Sequence, residues 1–138
     1  GGSMTRTGSC LCGAVQFTAT LSSTSLGACH CGMCRKWAGG PYVSVGTTAV
    51  DFAPSQSLQT YASSPWAERG FCSACGSSLF YRYLGGGPPG SIHLAAGTLD
   101  DLSGLKLEHE VFVDKRPDAW KFAGELKGRT EAQLMGKA

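Results

Sequence analysis

No stretch of this sequence approaches the roughly 18 consecutive apolar residues that a membrane-spanning helix needs, so the sequence predicts no contact with a membrane. Nothing after Met4 resembles a signal peptide, and residues 1–4 resemble the scar that a cleaved expression tag leaves. We therefore expect a cytoplasmic protein. In that compartment thiols stay reduced, and closely spaced cysteines favour metal binding or catalysis over disulfides.

The sequence also lacks internal repeats, coiled-coil heptads, long linkers and a basic low-complexity arm. Its formal net charge is only +2. Proteins that bind nucleic acids usually carry a pronounced basic patch or arm. We therefore expect no nucleic-acid partner.

What the chain does contain is glycine in quantity, 20 of 138 residues, spread without a period. That pattern is typical of many short strands joined by tight turns. In residues 14–20, Val15 and Phe17 fall on one side, as in a half-buried strand. Further predicted strands are 42–45, 58–62, 67–71, 78–83, 91–96 and 107–113. Breaks rich in glycine, proline or serine at 39–41, 63–65, 85–90 and 100–104 separate most of them.

The helical signal is weak. A short helical turn is predicted at 35–38 and a frayed helix in the tail. The prediction is therefore a mainly β fold of short antiparallel strands, with one domain over residues 5–124 and a polar C-terminal tail over 125–138.

The seven cysteines are the most specific feature of the sequence. They form three short groups: Cys10 and Cys12, then Cys29, Cys31 and Cys34, then Cys72 and Cys75. Two thiolates spaced as C-x-C or C-x-x-C can bind one tetrahedral metal ion at about 2.3 Å. Gly13 and Gly76 each follow a cysteine and allow the sharp turn that aims backbone amides at the sulfurs. The spacing predicts metal binding rather than disulfides or buried apolar cysteines.

Seven ligands divide most simply into four and three. Cys10, Cys12, Cys72 and Cys75 would complete a structural zinc site. Cys29, Cys31 and Cys34 would leave one position of a second zinc open, which is the catalytic pattern. A partition that moves one of these three into the closed site stays possible, as does His30 as a fourth ligand of the open site. Two bound zinc ions would change the net charge to about −1.

The sequence resembles the family of glutathione-dependent formaldehyde-activating enzymes, also called the centromere-protein-V family. The resemblance extends from about Thr7 to Trp120 and rests on five segments. These are 8–15 (GSCLCGAV), 29–36 (CHCGMCRK), 69–77 (RGFCSACGS), 96–101 (AGTLDD) and 109–120 (HEVFVDKRPDAW).

The resemblance implies a β-tent-like zinc-binding domain with the same division of cysteines, two zinc ions per chain, and carbon–sulfur lyase activity. The implied reaction joins the sulfur of glutathione, or of a related thiol, to a small carbonyl such as formaldehyde. Cys29, Cys31 and Cys34 would then form the catalytic centre. Three thiolates make zinc a weak Lewis acid that prefers a soft sulfur ligand, which favours thiol chemistry over hydrolysis.

Several charged residues could serve such a reaction. Arg35 and Lys36 follow the open site directly and are the predicted partners of substrate carboxylates, with Arg69, Lys115 and Arg116 as weaker choices. His109, His30 and Glu68 are candidate proton donors or acceptors. Two other functions compete with the enzyme: a non-catalytic zinc-stabilised binding module, and a thiol-rich zinc or redox sensor.

Overall fold

In a computed structural model, the chain is described over residues 4–84, 91–124 and 126–134. The predicted break at 85–90 and residues 1–3 of the predicted tag scar lie outside these ranges. None of the helices in the described ranges is long and apolar enough to cross a membrane.

The described residues form nine strands, two short α-helices and two 3-10 turns. The strands are β1 (Thr5–Ser9), β2 (Gln16–Cys29), β3 (Tyr42–Phe52), β4 (Leu58–Ser64), β5 (Ala67–Cys72), β6 (Ser78–Tyr83), β7 (Ile92–Ala95), β8 (Lys106–Val111) and β9 (Lys127–Arg129). The helices are α1 (Gly32–Ala38) and α2 (Glu131–Leu134), and the 3-10 turns are Ala96–Thr98 and Val113–Lys115. The prediction of a mainly β protein is confirmed.

One sheet contains all nine strands. Its order is β4-β5-β6-β7-β3-β2-β8-β9, and β1 pairs with β2 outside this path. The pairing of β2 with β3 shifts register between Thr20 and Leu26, so that β2 consists of two paired halves. The second half ends at Cys29, opposite Tyr42 of β3 and Val111 of β8. The sheet therefore brings the ends of three strands together at this cysteine.

The expectation of antiparallel strands is wrong for two pairs, because β8 runs parallel to both β2 and β9. Parallel neighbours require a long crossover connection. The chain forms β3 to β7 before it returns to β2 as β8. It then forms a 3-10 turn and a loop before β9.

The predicted frayed helix of the tail is likewise corrected. Residues 127–129 form β9, which pairs with β8, and of the tail residues that the structure describes (126–134) only Glu131–Leu134 are helical; residues 125 and 135–138 lie outside the described ranges. The tail thus contributes to the sheet.

Two hydrophobic clusters lie under the sheet. The larger contains Val15, Phe17, Leu79, Phe80 and Leu94 together with Cys10 and Cys72, while the smaller contains Cys29, Cys34 and Tyr42. Each cysteine group is therefore anchored in its own part of the core.

Gly8 in β1 is a position where the packing requires glycine. An added Cβ would overlap both the ring of Phe17 and the backbone oxygen of Thr98. We expect Gly8→Ala to lower the free energy of unfolding by about 1–3 kcal/mol, because overpacking forces neighbouring groups to shift. Thermal unfolding measures the effect. Gly97→Ala is the matched control, since nothing lies within 4 Å of its Cβ position; equal melting of the two variants would contradict the packing argument.

Candidate metal centres and adjoining cavities

The seven cysteines lie in two groups in the folded chain. The sulfurs of Cys10, Cys12, Cys72 and Cys75 are all within 4.8 Å of one another, as are those of Cys29, Cys31 and Cys34. This is the division into four and three that the spacing predicts. Neither cluster includes His30.

Two tight turns build the four-cysteine cluster. Gly13 and Gly76 have φ angles of 81° and 80°, so each chain segment can turn back sharply just after a cysteine. The Cys10 and Cys12 sulfurs are 3.7 Å apart, and those of Cys12 and Cys72 are 3.9 Å apart. A tetrahedral zinc with Zn–S bonds of about 2.3 Å places its sulfurs about 3.8 Å apart. The cluster therefore fits such an ion.

Although burial by itself raises the pKa of Cys10, hydrogen bonds at this cluster lower the pKa of Cys10 and Cys75 and so favour thiolates at these two positions. The amide of Val15 donates to the Cys10 sulfur at 3.3 Å. Ser77 lies beside Cys75, with 3.2 Å between hydroxyl oxygen and sulfur, and its side chain and backbone lower the pKa of the Cys75 thiol to about 5. The Ser77 hydroxyl also accepts a hydrogen bond from the amide of Leu11 at 3.0 Å. Ser77 thus links the two cysteine turns.

The three-cysteine cluster lies where β2 passes into α1. Cys29 ends β2, Cys31 is the N-cap of α1 and Cys34 lies in its first turns. The Cys31 sulfur accepts a hydrogen bond from the amide of Cys34 at 3.3 Å. Hydrogen bonds with the Cys29 and Cys34 thiols lower the pKa of Cys31 to about 2. The hydrogen bond between Cys29 and Cys31 correspondingly raises the pKa of Cys29. The cluster thus favours a thiolate at Cys31.

Arg69 of β5 provides a buried positive charge at this cluster. Its side chain donates a hydrogen bond to the Cys34 sulfur at 3.5 Å, and the residue is only 5% exposed. The guanidinium lies 5.1 Å from the centre of the Trp37 ring and 5.8 Å from that of Tyr81. Burial lowers the pKa of Arg69, but the charge and hydrogen bond of Cys34 raise it above its ordinary value overall. Sequence reasoning ranked Arg69 below Arg35 and Lys36.

The three cysteines line a cavity of about 290 Å³, here called the cysteine cavity. Its other walls include Arg69 and the aromatic residues Trp66, Tyr81, Tyr83 and His93. Cys31 also borders a second, more open space, here called the lysine cleft, together with Lys36, Lys115 and Glu131. Cys31 is therefore the cysteine of this cluster that lines both spaces.

The predicted carboxylate partners are placed differently. Lys36 lies in the lysine cleft, whereas Arg35 is not among the residues that line either cavity. Both are exposed on α1. Lys115, a weaker choice on sequence, joins Lys36 in the cleft, and its ammonium group lies 3.7 Å from a carboxylate oxygen of Glu131.

His30 points away from the sulfurs and belongs to a buried ionic network. Its Nε2 donates to Glu110 Oε1 at 2.8 Å, and Arg116 donates to the same oxygen at 2.8 Å. Burial raises the pKa of Glu110, but the hydrogen bonds from Arg116 and His30 outweigh it, and the pKa lies below its ordinary value. The backbone amide of His30 bonds to the oxygen of Val111 at 3.1 Å. The network therefore fixes the loop between Cys29 and Cys31.

Removing the charge of Glu110 should destabilise the protein. A carboxylate whose pKa is lowered by folding contributes stability that is present above its unfolded pKa and lost as the pH falls through the folded value. We expect Glu110→Gln to unfold about 1–3 kcal/mol more easily at pH 7 and to lose part of the acid sensitivity below pH 4.5. Urea unfolding at pH 7 and pH 3.5 measures both effects. Glu108→Gln, at an exposed position of the same strand, is the control; equal responses would remove the role of the network.

Of the three candidate proton-transfer residues, His109 alone lines the cysteine cavity. Glu68 forms a salt bridge with Arg82, and His30 is buried against Glu110. The Nδ1 of His109 lies 3.3 Å from the Ser25 hydroxyl oxygen. Its ring covers Gly27, where an added Cβ would overlap Nε2. Gly27 therefore leaves the space in which the imidazole lies against β2.

A nine-stranded sheet with a four-cysteine cluster and a cavity-lining three-cysteine cluster defines a small β protein with two cysteine clusters that could each hold a metal ion. The chain belongs to the family of glutathione-dependent formaldehyde-activating enzymes, whose profile matches residues 5–115. It is 31% identical to an uncharacterized lyase of Schizosaccharomyces pombe over 129 residues, which is 93% of each chain. The family and this relative support a lyase-type function related to glutathione.

The fold also resembles a crystal structure of a Rhodobacter sphaeroides protein. The comparison has a TM-score of 0.60 and covers 90% of this chain and 99% of the other. The sequence identity is 20%, so this likeness concerns the fold alone.

Proposed function

We propose that the protein is a zinc-dependent carbon–sulfur lyase that forms and cleaves the bond between a thiol, glutathione or a related one, and the carbon of a small carbonyl such as formaldehyde. The observation that carries this proposal is the position of the three-cysteine cluster: Cys29, Cys31 and Cys34 all line the cysteine cavity. Zinc held by these three cysteines would supply one free position, which favours a thiolate sulfur.

Arg69 is the residue that makes a fourth thiolate acceptable. Three thiolates and a zinc ion carry a net charge of −1, and an incoming thiolate would make it −2. The guanidinium of Arg69, beside Cys34, offsets one of these negative charges, and its effect is strong because the residue is buried away from water. Arg69 therefore favours the deprotonated substrate thiol over the neutral one.

His109 is the proposed proton-transfer group. When the sulfur–carbon bond forms, the π electrons of the carbonyl move to its oxygen, which must gain the proton that the thiol has lost. His109 borders the cavity and can pass that proton between sulfur and oxygen. Cleavage is the reverse: the alcohol proton leaves the oxygen, the carbonyl forms again and the electron pair stays on sulfur.

Lys36 and Lys115 are the proposed partners of the glutathione carboxylates. They lie in the lysine cleft with Cys31, so a thiol bound at the cluster can extend its anionic ends toward them. Arg35 stays a weaker proposal because it lines neither the cleft nor the cysteine cavity.

The proposed function is tested by exchange NMR with carbon-13 formaldehyde and glutathione. The zinc-loaded protein should speed the exchange of carbon between hydrated formaldehyde and the glutathione adduct, and a chelator should abolish the effect. If the two-zinc protein speeds no exchange with any thiol, the function is the alternative, a zinc-stabilised binding module.

Substitution of Arg69 should weaken the binding of every thiol. A charge-assisted hydrogen bond contributes about 1.5–3 kcal/mol. We expect Arg69→Met to weaken glutathione and 2-mercaptoethanol alike by roughly 10- to 150-fold, at about 1.4 kcal/mol for each tenfold. Calorimetry with both thiols measures this, and Arg69→Lys, which keeps the charge, should recover part of the loss.

The lysine cleft gives the matched comparison. Lys36→Ala should weaken glutathione but not 2-mercaptoethanol, which has no carboxylate, and Arg35→Ala should have a smaller effect than Lys36→Ala. If Arg69→Met weakens glutathione alone, its charge acts on the carboxylates and the account given for the sulfur is wrong.

A further inference from the structure

The part of the cysteine cavity formed by Trp66, Tyr81, Tyr83 and His93 is here called the aromatic chamber. Tyr81 packs against the three-cysteine cluster, and Tyr83 lies two residues further along β6. The rings of Tyr81 and His93 are stacked, with centroids 4.6 Å apart and planes at 9°. Tyr83 is nearly perpendicular to both, at 89°. The cavity is thus lined by aromatic rings in two perpendicular orientations.

Of the residues of the aromatic chamber, His93 is tied to the core, whereas Trp66 is exposed to solvent. The Tyr42 hydroxyl donates to the backbone oxygen of His93 at 2.7 Å, which fixes β7 against the core. Trp66, by contrast, is 51% exposed. A large aromatic side chain this exposed at the edge of a cavity has apolar surface available to cover a ligand.

The chamber is poor in charge. Burial lowers the pKa of His93, so its ring is neutral at physiological pH. Among the described residues that line the cysteine cavity, Arg69 is the one lysine or arginine, and no carboxylate is present. Arg69 already donates to Cys34. Apart from Arg69, the carboxylates of glutathione would find no lysine or arginine among these residues, and its ammonium group would find no carboxylate; burying these charges unpaired is costly.

The cavity is also larger than formaldehyde requires. The group that formaldehyde adds to a sulfur has two heavy atoms, which need about 20–30 Å³ of cavity if each takes the space that one water molecule needs. The cysteine cavity measures about 290 Å³. Since the lysine cleft suits the charged ends of the thiol, the aromatic chamber is left for the other half of the adduct.

We propose that the aromatic chamber binds a planar aromatic or conjugated substituent on the carbonyl carbon, so that the preferred electrophile is an aromatic aldehyde. This inference rests on the proposed lyase function and specifies its substrate. The thiol sulfur bonds to the aldehyde carbon, the carbonyl π electrons move to oxygen, and the proton released by the thiol ends on that oxygen. The carbonyl becomes an alcohol carbon bearing sulfur, and no oxidant or reductant takes part.

The test compares three aldehydes with glutathione and the zinc-loaded protein: benzaldehyde, cyclohexanecarboxaldehyde of similar size without a π system, and formaldehyde. Exchange between free aldehyde and adduct gives kcat/KM for each. Conjugation makes benzaldehyde intrinsically less reactive toward thiols, so each kcat/KM is divided by the rate constant of the uncatalysed exchange. We expect this enhancement to be roughly 2- to 10-fold larger for benzaldehyde than for cyclohexanecarboxaldehyde, the range set by aromatic pair energies. Tyr83→Leu should lower the ratio of benzaldehyde to formaldehyde rates by about 10-fold. Tyr61→Leu, at a 63% exposed position of β4, is the matched control and should leave that ratio unchanged.

The outcomes separate this inference from the proposed function. If formaldehyde reacts but the protein enhances the exchange of benzaldehyde no more than that of its saturated analogue, or if Tyr83→Leu leaves the ratio unchanged, the inference is wrong and the lyase function stands. If none of the three aldehydes exchanges with any thiol, the lyase function fails and the inference fails with it. A ratio that falls with Tyr83→Leu and not with Tyr61→Leu supports the aromatic chamber.

Discussion

Cys12→Ala will unfold most of the protein at temperatures at which the parent is folded, although the side chain of Cys12 is exposed. A structural zinc contributes about 10–16 kcal/mol in small zinc domains, which is as large as the whole stability of a typical domain, about 5–15 kcal/mol. Removing one of four ligands gives up much of that contribution. Because Cys12 fills no core space, a cavity cannot account for the loss.

Thermal unfolding and the zinc content of purified variants measure this effect. Leu11→Ala is the matched control: Leu11 is the adjacent residue and 90% exposed, and its replacement should change stability by no more than about 0.5 kcal/mol. If Cys12→Ala melts within a few degrees of the parent, the four-cysteine cluster does not hold the fold together.

Cys34→Ser should have the opposite pattern: a folded protein with one zinc and no lyase activity. Cys34 is buried, so serine is chosen to keep its volume, but a serine hydroxyl is a poor zinc ligand. The variant also loses the sulfur that Arg69 contacts. We expect activity to fall by at least about 100-fold, while the melting temperature stays close to that of the parent.

Exchange NMR, zinc analysis and thermal unfolding on the same preparation decide the matter. Equal destabilisation by Cys34→Ser and Cys12→Ala would contradict the claim that the four-cysteine cluster stabilises the fold while the three-cysteine cluster serves the reaction.

The sequence predicts those strands in which apolar and polar residues alternate. Val15 directly precedes β2 and Phe17 lies in its first half. The predicted strand at 78–83 has the same bounds as β6. β1 was missed because its buried positions are Arg6 and Gly8, neither of which is apolar enough to signal a strand. β9, with the sequence Lys-Gly-Arg, is a strand only because β8 pairs with it.

The candidate site divides in the same way. The cysteine groups follow from spacing along the chain, which is local information. The sequence ranks Arg69 too low, because its importance comes from Cys34, 35 residues away in sequence. Arg35 was favoured for its position next to Cys34, yet on α1 its side chain does not line the cavity that Cys34 borders.

The aromatic chamber was hidden for a related reason. Tyr81 packs against the smaller hydrophobic cluster, as an ordinary core residue would. Its second role requires Trp66, Tyr83 and His93 to face the same space, and that depends on the pairing of β6 with β5 and β7. No single-sequence pattern contains this register.

The most direct test of the central claim is zinc-edge X-ray absorption of the two-zinc protein, with glutathione and with S-methylglutathione, which has no free thiol. The measurement averages over both zinc ions, one with four cysteine ligands and one with Cys29, Cys31 and Cys34, so the mean sulfur count without thiol is about 3.5, the average of four and three. The account predicts that glutathione raises this mean to four, because both zinc ions then have four sulfur ligands, and that S-methylglutathione leaves it at about 3.5. A sulfur count that glutathione does not change, at concentrations that saturate its binding, would contradict the claim that this cluster is a thiol-binding site.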